Sequence, residues 1–103
     1  MDRISVVIAD SNKLISEGLK VILSQEEDIT LAGEAESEDL LLELLGNQEV
    51  NIVMLDFTAR NFRLETIHSI VEQFPHVQVI AITYDQDGET IVYALKSGVT
   101  SYV

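Results

Sequence analysis

The sequence predicts an α/β domain built on a doubly wound parallel sheet of five strands, ordered 2-1-3-4-5. Three observations carry this. Apolar, β-branched runs recur at residues 4–9, 29–35, 50–56 and 77–82, and a fifth begins at Tyr102. Segments with the apolar spacing of a helix face lie between these runs. The links are short, with no repeat, linker or low-complexity tract. Strand and helix in strict alternation give a parallel sheet with right-handed crossovers.

The first run, Ile4 to Ala9, ends on Asp10. Leu14, Ile15, Gly18, Leu19 and Ile22 then mark a helix face, which Ser11 or Asn12 can cap. Residues 25–28 are a polar break. Ile29 to Ala35 reads as the second strand, and Gly33 inside it suits a sheet edge. Ser37 opens a helix through Leu45, with Gly46 as its stop. Its five leucines (Leu40, Leu41, Leu42, Leu44 and Leu45) read as a wide core-packing face.

Residues 50–56 form an apolar run that stops on Asp56, a strand buried on both faces. A loop over 57–62 leads to a helix marked by Leu64, Ile67, Ile70, Val71 and Phe74, ended by Pro75. The fourth strand, 77–82, ends at Thr83. A turn over 84–88, with Asp87 as a cap, precedes a short helix carrying Ile91, Val92, Ala94 and Leu95, stopped by Gly98.

At 103 residues the chain is one domain, and 47% apolar content supports a real core. With no cysteine, disulfides, thiolate metal sites and thiol catalysis are excluded. No apolar run is long enough to cross a bilayer, and the opening Met-Asp-Arg-Ile lacks a signal-peptide layout, so a cytoplasmic location is expected. The net charge is −12, and no Lys or Arg occurs between Lys20 and Arg60. That stretch reads as a solvated acidic flank or a patch for a basic partner, and on either reading it repels nucleic acid.

In the order 2-1-3-4-5, strands 1 and 3 meet at the switch point where open α/β sheets bind ligands. Asp10 and Asp56 should therefore lie side by side, with Thr83 next along. Two adjacent carboxylates repel and need a cation or a shared proton. Oxygen ligands with open positions suit Mg²⁺. Acid, metal and hydroxyl together suit phosphoryl transfer, with a carboxylate able to act as nucleophile. Taken singly, Asp10 could cap a helix, Thr83 could satisfy backbone groups, and Tyr102 could be a core or edge aromatic. Three polar strand ends on one sheet edge favour the functional reading. No dinucleotide fingerprint, P-loop or nucleophile elbow is present, and His68 and His76 have no zinc-ligand partners.

Residues 6–19 (Val-Val-Ile-Ala-Asp-Ser-Asn-Lys-Leu-Ile-Ser-Glu-Gly-Leu) carry a family likeness. So do Asp28-Ile-Thr-Leu-Ala-Gly-Glu-Ala, Asn51-Ile-Val-Met-Leu-Asp, Val79-Ile-Ala-Ile-Thr and Ala94-Leu-Lys-Ser-Gly-Val-Thr-Ser-Tyr-Val. The chain resembles the receiver domain of two-component response regulators, of the subfamily with a LuxR-type helix-turn-helix output. The resemblance covers the whole chain, and its strength lies in the order and spacing of the blocks. It implies a flavodoxin-like sheet and a phosphoacceptor switch fed by a sensor histidine kinase. By position, Asp56 falls on the phosphoacceptor. Asp10, Asp56 and the backbone carbonyl of Thr58 fall on Mg²⁺ ligands, Thr83 on the hydroxyl that contacts the phosphoryl group, and Tyr102 on the switch aromatic.

The departures set limits. Ser11 stands where the family has a second acid, so weaker Mg²⁺ binding is expected. Ala59-Arg60-Asn61 replaces a Met-Pro-Gly type turn, and Tyr84 is bulky where the family has a small residue. The family's lysine and last helix would fall past Val103. Residues 1–103 are thus expected to be a C-terminally truncated receiver with an uncovered apolar face, which favours a homodimer. DNA is then reached only through a C-terminal domain outside this chain. The rival reading is an atypical receiver that works as a protein-interaction or dimerisation module without phosphorylation. A free-standing enzyme on the same sheet has no catalytic set to support it.

Overall fold

A computed structural model describes residues 3–10, 13–56, 62, 64–82 and 101–102. The elements run β1 (Ile4–Ala9), α1 (Lys13–Ser24), β2 (Ile29–Ala35), α2 (Glu38–Asn47), β3 (Ile52–Asp56), α3 (Leu64–Gln73), β4 (Gln78–Ile82) and β5 (Ser101–Tyr102). The five strands form one sheet in the order β2-β1-β3-β4-β5, and every pair is parallel. The doubly wound order expected from the alternation is therefore the observed one. The expected turn, the helix carrying Ile91 to Leu95, and the caps Ser11, Asn12 and Asp87 lie outside the described residues.

The apolar strand runs split by face. Val7, Ala9, Val53, Leu55, Val79 and Ala81 are buried and pack with Leu41 and Leu45 of α2 and Ile67 and Ile70 of α3. The alternate residues Ile52, Met54, Ile80 and Ile82 are only half-buried. Side chains alternate across a strand, so one face of β3 and β4 is fully covered and the other partly so.

Several boundaries differ from the sequence reading. Ser37 does cap α2, accepting from Leu40 N at 3.4 Å, and Glu38 and Asp39 sit in the first turn, where the helix dipole favours acids. Gly46 does not stop the helix, which runs through Asn47. The expected strand start at Val50 is also early. Val50 is buried, but Asn51 is spent on bridging: its N–H donates to Ser5 O, its Oδ1 accepts from Ser5 N, and its carbonyl accepts from Gln78 N. Likewise Val77 is drawn into the turn after α3 by a bond to Phe74 O, so β4 starts one residue later.

The inward face of α1 also needs correction. Leu14 and Ile22, taken as face residues, are 81% and 61% exposed. Ile15, Leu19 and Leu23 are half-buried, and the one buried residue of α1 is Ser16. The helix is rotated so that Ser16 and Lys20 reach β2, and that leaves Leu14, Val21 and Ile22 outside. Among the described residues no helix is long and apolar enough to cross a membrane.

Candidate functional site

Pairing brings the two acids together. Ala9 pairs with Leu55 in the β1–β3 ladder, so Asp10 and Asp56 each stand one residue further along adjacent strands. Neighbouring strands lie about 4.8 Å apart. Both acids are buried, Asp10 at 5% exposure and Asp56 at 3%. Buried carboxylates are costly without compensation. Asp56 also pairs with Ile82, the last residue of β4. Ala81 pairs with Tyr102, which places Tyr102 on β5 beside that end of β4. Thr58, Thr83, Ser11 and Tyr84 lie outside the described residues.

Asp10 is further held from β2, where its N–H donates to Ala35 O at 3.2 Å. It lines a cavity of about 440 Å³ together with Ser16, Lys20 and Glu34. In that cavity Ser16 Oγ donates to Glu34 Oε1 at 2.7 Å, and Lys20 Nζ donates to Glu34 Oε2 at 3.2 Å. Lys20 also pairs with Glu17 at 2.9 Å. The Ser16 bond, more than Lys20, holds the Glu34 carboxyl below its ordinary value. Its hydrogen bonds to Glu17 and Glu34 raise Lys20. The ion pairs are solvent-exposed and contribute little stability; the Ser16 bond is part-buried.

Sequence reasoning missed this set. Its signal is the four-residue spacing of Ser16 and Lys20, which puts these two polar residues on one side of α1. His68 is exposed on α3, beside Glu72 at 3.7 Å. Leu41 and Leu45 are core, while Leu40 is half exposed.

The donor set fits a hard divalent cation. Two buried carboxylates at adjacent strand ends supply oxygen ligands of the type Mg²⁺ takes, and Mg²⁺ commonly uses only one or two protein carboxylates. Among the described residues there is no cluster of three acid or histidine side chains that could hold a metal. A site here therefore leaves positions for water and for a ligand's own oxygens.

A parallel sheet of this order, with two acids at the switch point, has the architecture and ligand-site position of a flavodoxin-like domain. Residues 6–103 match the response regulator receiver domain, and the chain belongs to that family. It is 23% identical over 103 residues to the transcriptional regulatory protein DegU of Brevibacillus brevis, covering 99% of this chain and 44% of that protein. It is 25% identical to the nitrate/nitrite response regulator protein NarL of Escherichia coli (strain K12), covering 96% of this chain and 46% of NarL. Against the oxygen regulatory protein NreC of Staphylococcus epidermidis the identity is 28%, covering 95% and 46%. These relatives are regulators of the LuxR/NarL type. The chain spans less than half the length of each. Among solved structures, the isolated REC domain of RcsB from Salmonella enterica serovar Typhimurium superposes with a TM-score of 0.92 at 21% identity, covering 99% of this chain and 77% of that one. This last likeness concerns the fold alone.

Proposed function

We propose that the chain is the phosphoacceptor switch of a longer transcriptional regulator, and that Asp56 takes a phosphoryl group from a sensor histidine kinase. The observation that carries this is the pair of buried carboxylates, Asp10 and Asp56, closing adjacent strands at the switch point. In the proposed step a carboxylate oxygen of Asp56 attacks phosphorus. The new O–P bond replaces the P–N bond of the donor phosphohistidine, whose imidazole leaves with a proton. Asp10, Asp56 and the Thr58 carbonyl would hold Mg²⁺, which when bound neutralises charge on the phosphoryl oxygens. Thr83 contacts the phosphoryl group, and Tyr102 follows it as the switch aromatic. Asp56 thereby becomes a local charge event that biases a two-state element. The domain is not an enzyme in its own right; at most it catalyses its own phosphorylation and dephosphorylation.

The same reading makes residues 1–103 the receiver part of that regulator, with DNA contacted through a domain outside this chain. It places the protein in the cytoplasm and as a homodimer. The exposed Leu14, Val21 and Ile22 of α1 support self-association.

The deciding experiment is incubation with Mg²⁺ and acetyl phosphate, followed by intact mass measurement. One added phosphoryl group is expected, and Asp56→Asn should abolish it. No modification even at high Mg²⁺ would instead support a receiver that acts without phosphorylation, as Ser11 in place of an acid favours.

A further inference from the structure

We propose that Glu34 is a positioning residue for Asp10, acting through a clamp between α1 and β2. The proposal deepens the Mg²⁺ reading above and rests on it for its metal-binding consequence.

The clamp begins with an irregularity in the sheet. Val6 pairs with Leu31 but Val7 pairs with Gly33, so Ala32 is an extra residue in β2. Beyond it, Ile8 pairs with Glu34 and Ala9 with Ala35. Without the extra residue the register would continue Val7 with Ala32, Ile8 with Gly33 and Ala9 with Glu34. Paired residues of a parallel ladder point to the same side, and Ala9 points into the core shared with α2 and α3. The bulge therefore turns the Glu34 side chain out of an apolar core and toward α1. Bulges re-aim side chains in this way beside functional sites.

Once turned, Glu34 is fully used. Ser16, 7% exposed, donates to one carboxylate oxygen and Lys20 to the other. The next residue, Ala35, accepts the Asp10 N–H. Two consecutive residues of β2 thus fix α1 and the backbone of Asp10. Asp10 lies in the short connection from β1 to Lys13, the first residue of α1. With β1 held in the sheet and α1 held by Glu34, both ends of that connection are anchored, and the direction of the Asp10 carboxylate is set. Groups that orient a ligand without touching the metal commonly control its affinity. Gly33 keeps α2 close on the other side, because a Cβ there would stand 3.1 Å from Leu44 Cδ2.

The test uses the full chain and two readouts. Amide hydrogen exchange of Asp10 in metal-free protein is compared with that of Val7, inside β1. Mg²⁺ affinity is measured by NMR titration of the folded protein. Glu34→Ala should lower Asp10 protection relative to Val7 and weaken Mg²⁺ binding, each by up to about tenfold, the low end for groups bonded to a metal's ligands, because Glu34 reaches Asp10 only through α1 and the β2 backbone. Glu34→Gln keeps an acceptor for Ser16 and should recover most of both. Unchanged exchange and unchanged affinity, with only a lower melting temperature, would reduce Glu34 to a structural tie and overturn the proposal. Should Glu34→Ala not fold, Ser16→Ala carries the same comparison. If the wild type binds no Mg²⁺, the metal reading fails, and the exchange data alone decide whether Glu34 positions Asp10.

Discussion

Asn51 and Ser5 hold each other by two bonds: Asn51 N–H to Ser5 O at 2.9 Å, and Ser5 N–H to Asn51 Oδ1 at 2.8 Å. The Asn51 carbonyl also accepts from Gln78 N at 3.0 Å. One residue thus ties β1, β3 and β4 at the end of the sheet opposite the acids. Asn51→Ala keeps the backbone bonds and loses the side-chain acceptor. The expected cost is about 1 kcal/mol, measured by urea unfolding, with the larger effect on register-sensitive amides of β1. No change in stability would mean water replaces Oδ1 at Ser5.

Two glycines offer stabilisation. Gly18 in α1 and Gly46 in α2 are exposed, and an added Cβ at either meets nothing within 4 Å. Glycine within a helix costs roughly 0.5–1 kcal/mol relative to alanine. Gly18→Ala and Gly46→Ala should each raise the melting temperature by a few degrees, and together roughly additively, since they lie on different helices. A lower melting temperature for Gly46→Ala would show that the end of α2 needs the freedom of glycine.

Glu34 should contribute a pH-dependent part of stability. Its folded carboxyl lies below the ordinary glutamate value, chiefly through the Ser16 hydrogen bond. A depressed carboxyl stabilises the fold above its unfolded value, and that contribution is lost as pH falls through the folded one. The stability gap between wild type and Glu34→Gln should therefore be present at pH 7 and shrink below about pH 4.5. Lys20 has the opposite sign. Its folded value is raised above 10.5, so its contribution is present at pH 7 and lost at strongly alkaline pH. Both side chains are about one-third exposed, at 31% and 36%, so the effects are modest and salt-sensitive. A gap that does not narrow in acid would point to packing in place of ionisation.

Ser11→Asp should tighten Mg²⁺ binding. It adds a carboxylate next to Asp10 in the chain. One extra unit charge at contact distance is worth about 1–4 kcal/mol between water-like and surface-like screening. Calorimetric titration should show at least about a fivefold gain, with lower stability of the metal-free form from added like charge. An unchanged titration would place residue 11 away from the cation.

Much of this was legible in the residues. The runs ending on Asp10 and Asp56, with alternation and short links, were enough to order the strands and to set the two acids side by side. Local reading failed where a tertiary partner intervened. Leu14 and Ile22 have the spacing of a buried face, yet Ser16 is the residue of α1 that is buried, because Glu34 on another element claims it. Gly46 looks like a stop, but helix α2 continues past it to Asn47. The extra residue at Ala32 has one local sign, Gly33, since a glycine inside a strand fits a bulge as well as a sheet edge. Thr83, expected at the site from strand order, and Thr58, named for it by resemblance, fall outside the described residues.

The strand order also has a kinetic consequence. Asp10 and Asp56 become neighbours only when β1 closes against β3, across the whole β1-α1-β2-α2 stretch. A chain that has folded only β1, α1 and β2 holds Asp10 without its companion, and such non-local closure is slow to form. A divalent cation held by Asp10 and Asp56, as proposed, would therefore have no grip on a partly folded chain. Its expected signature is a slower unfolding limb with the folding limb nearly unmoved, so that the cation acts as a latch on the finished sheet. Stopped-flow refolding and unfolding with and without Mg²⁺ would show which limb responds.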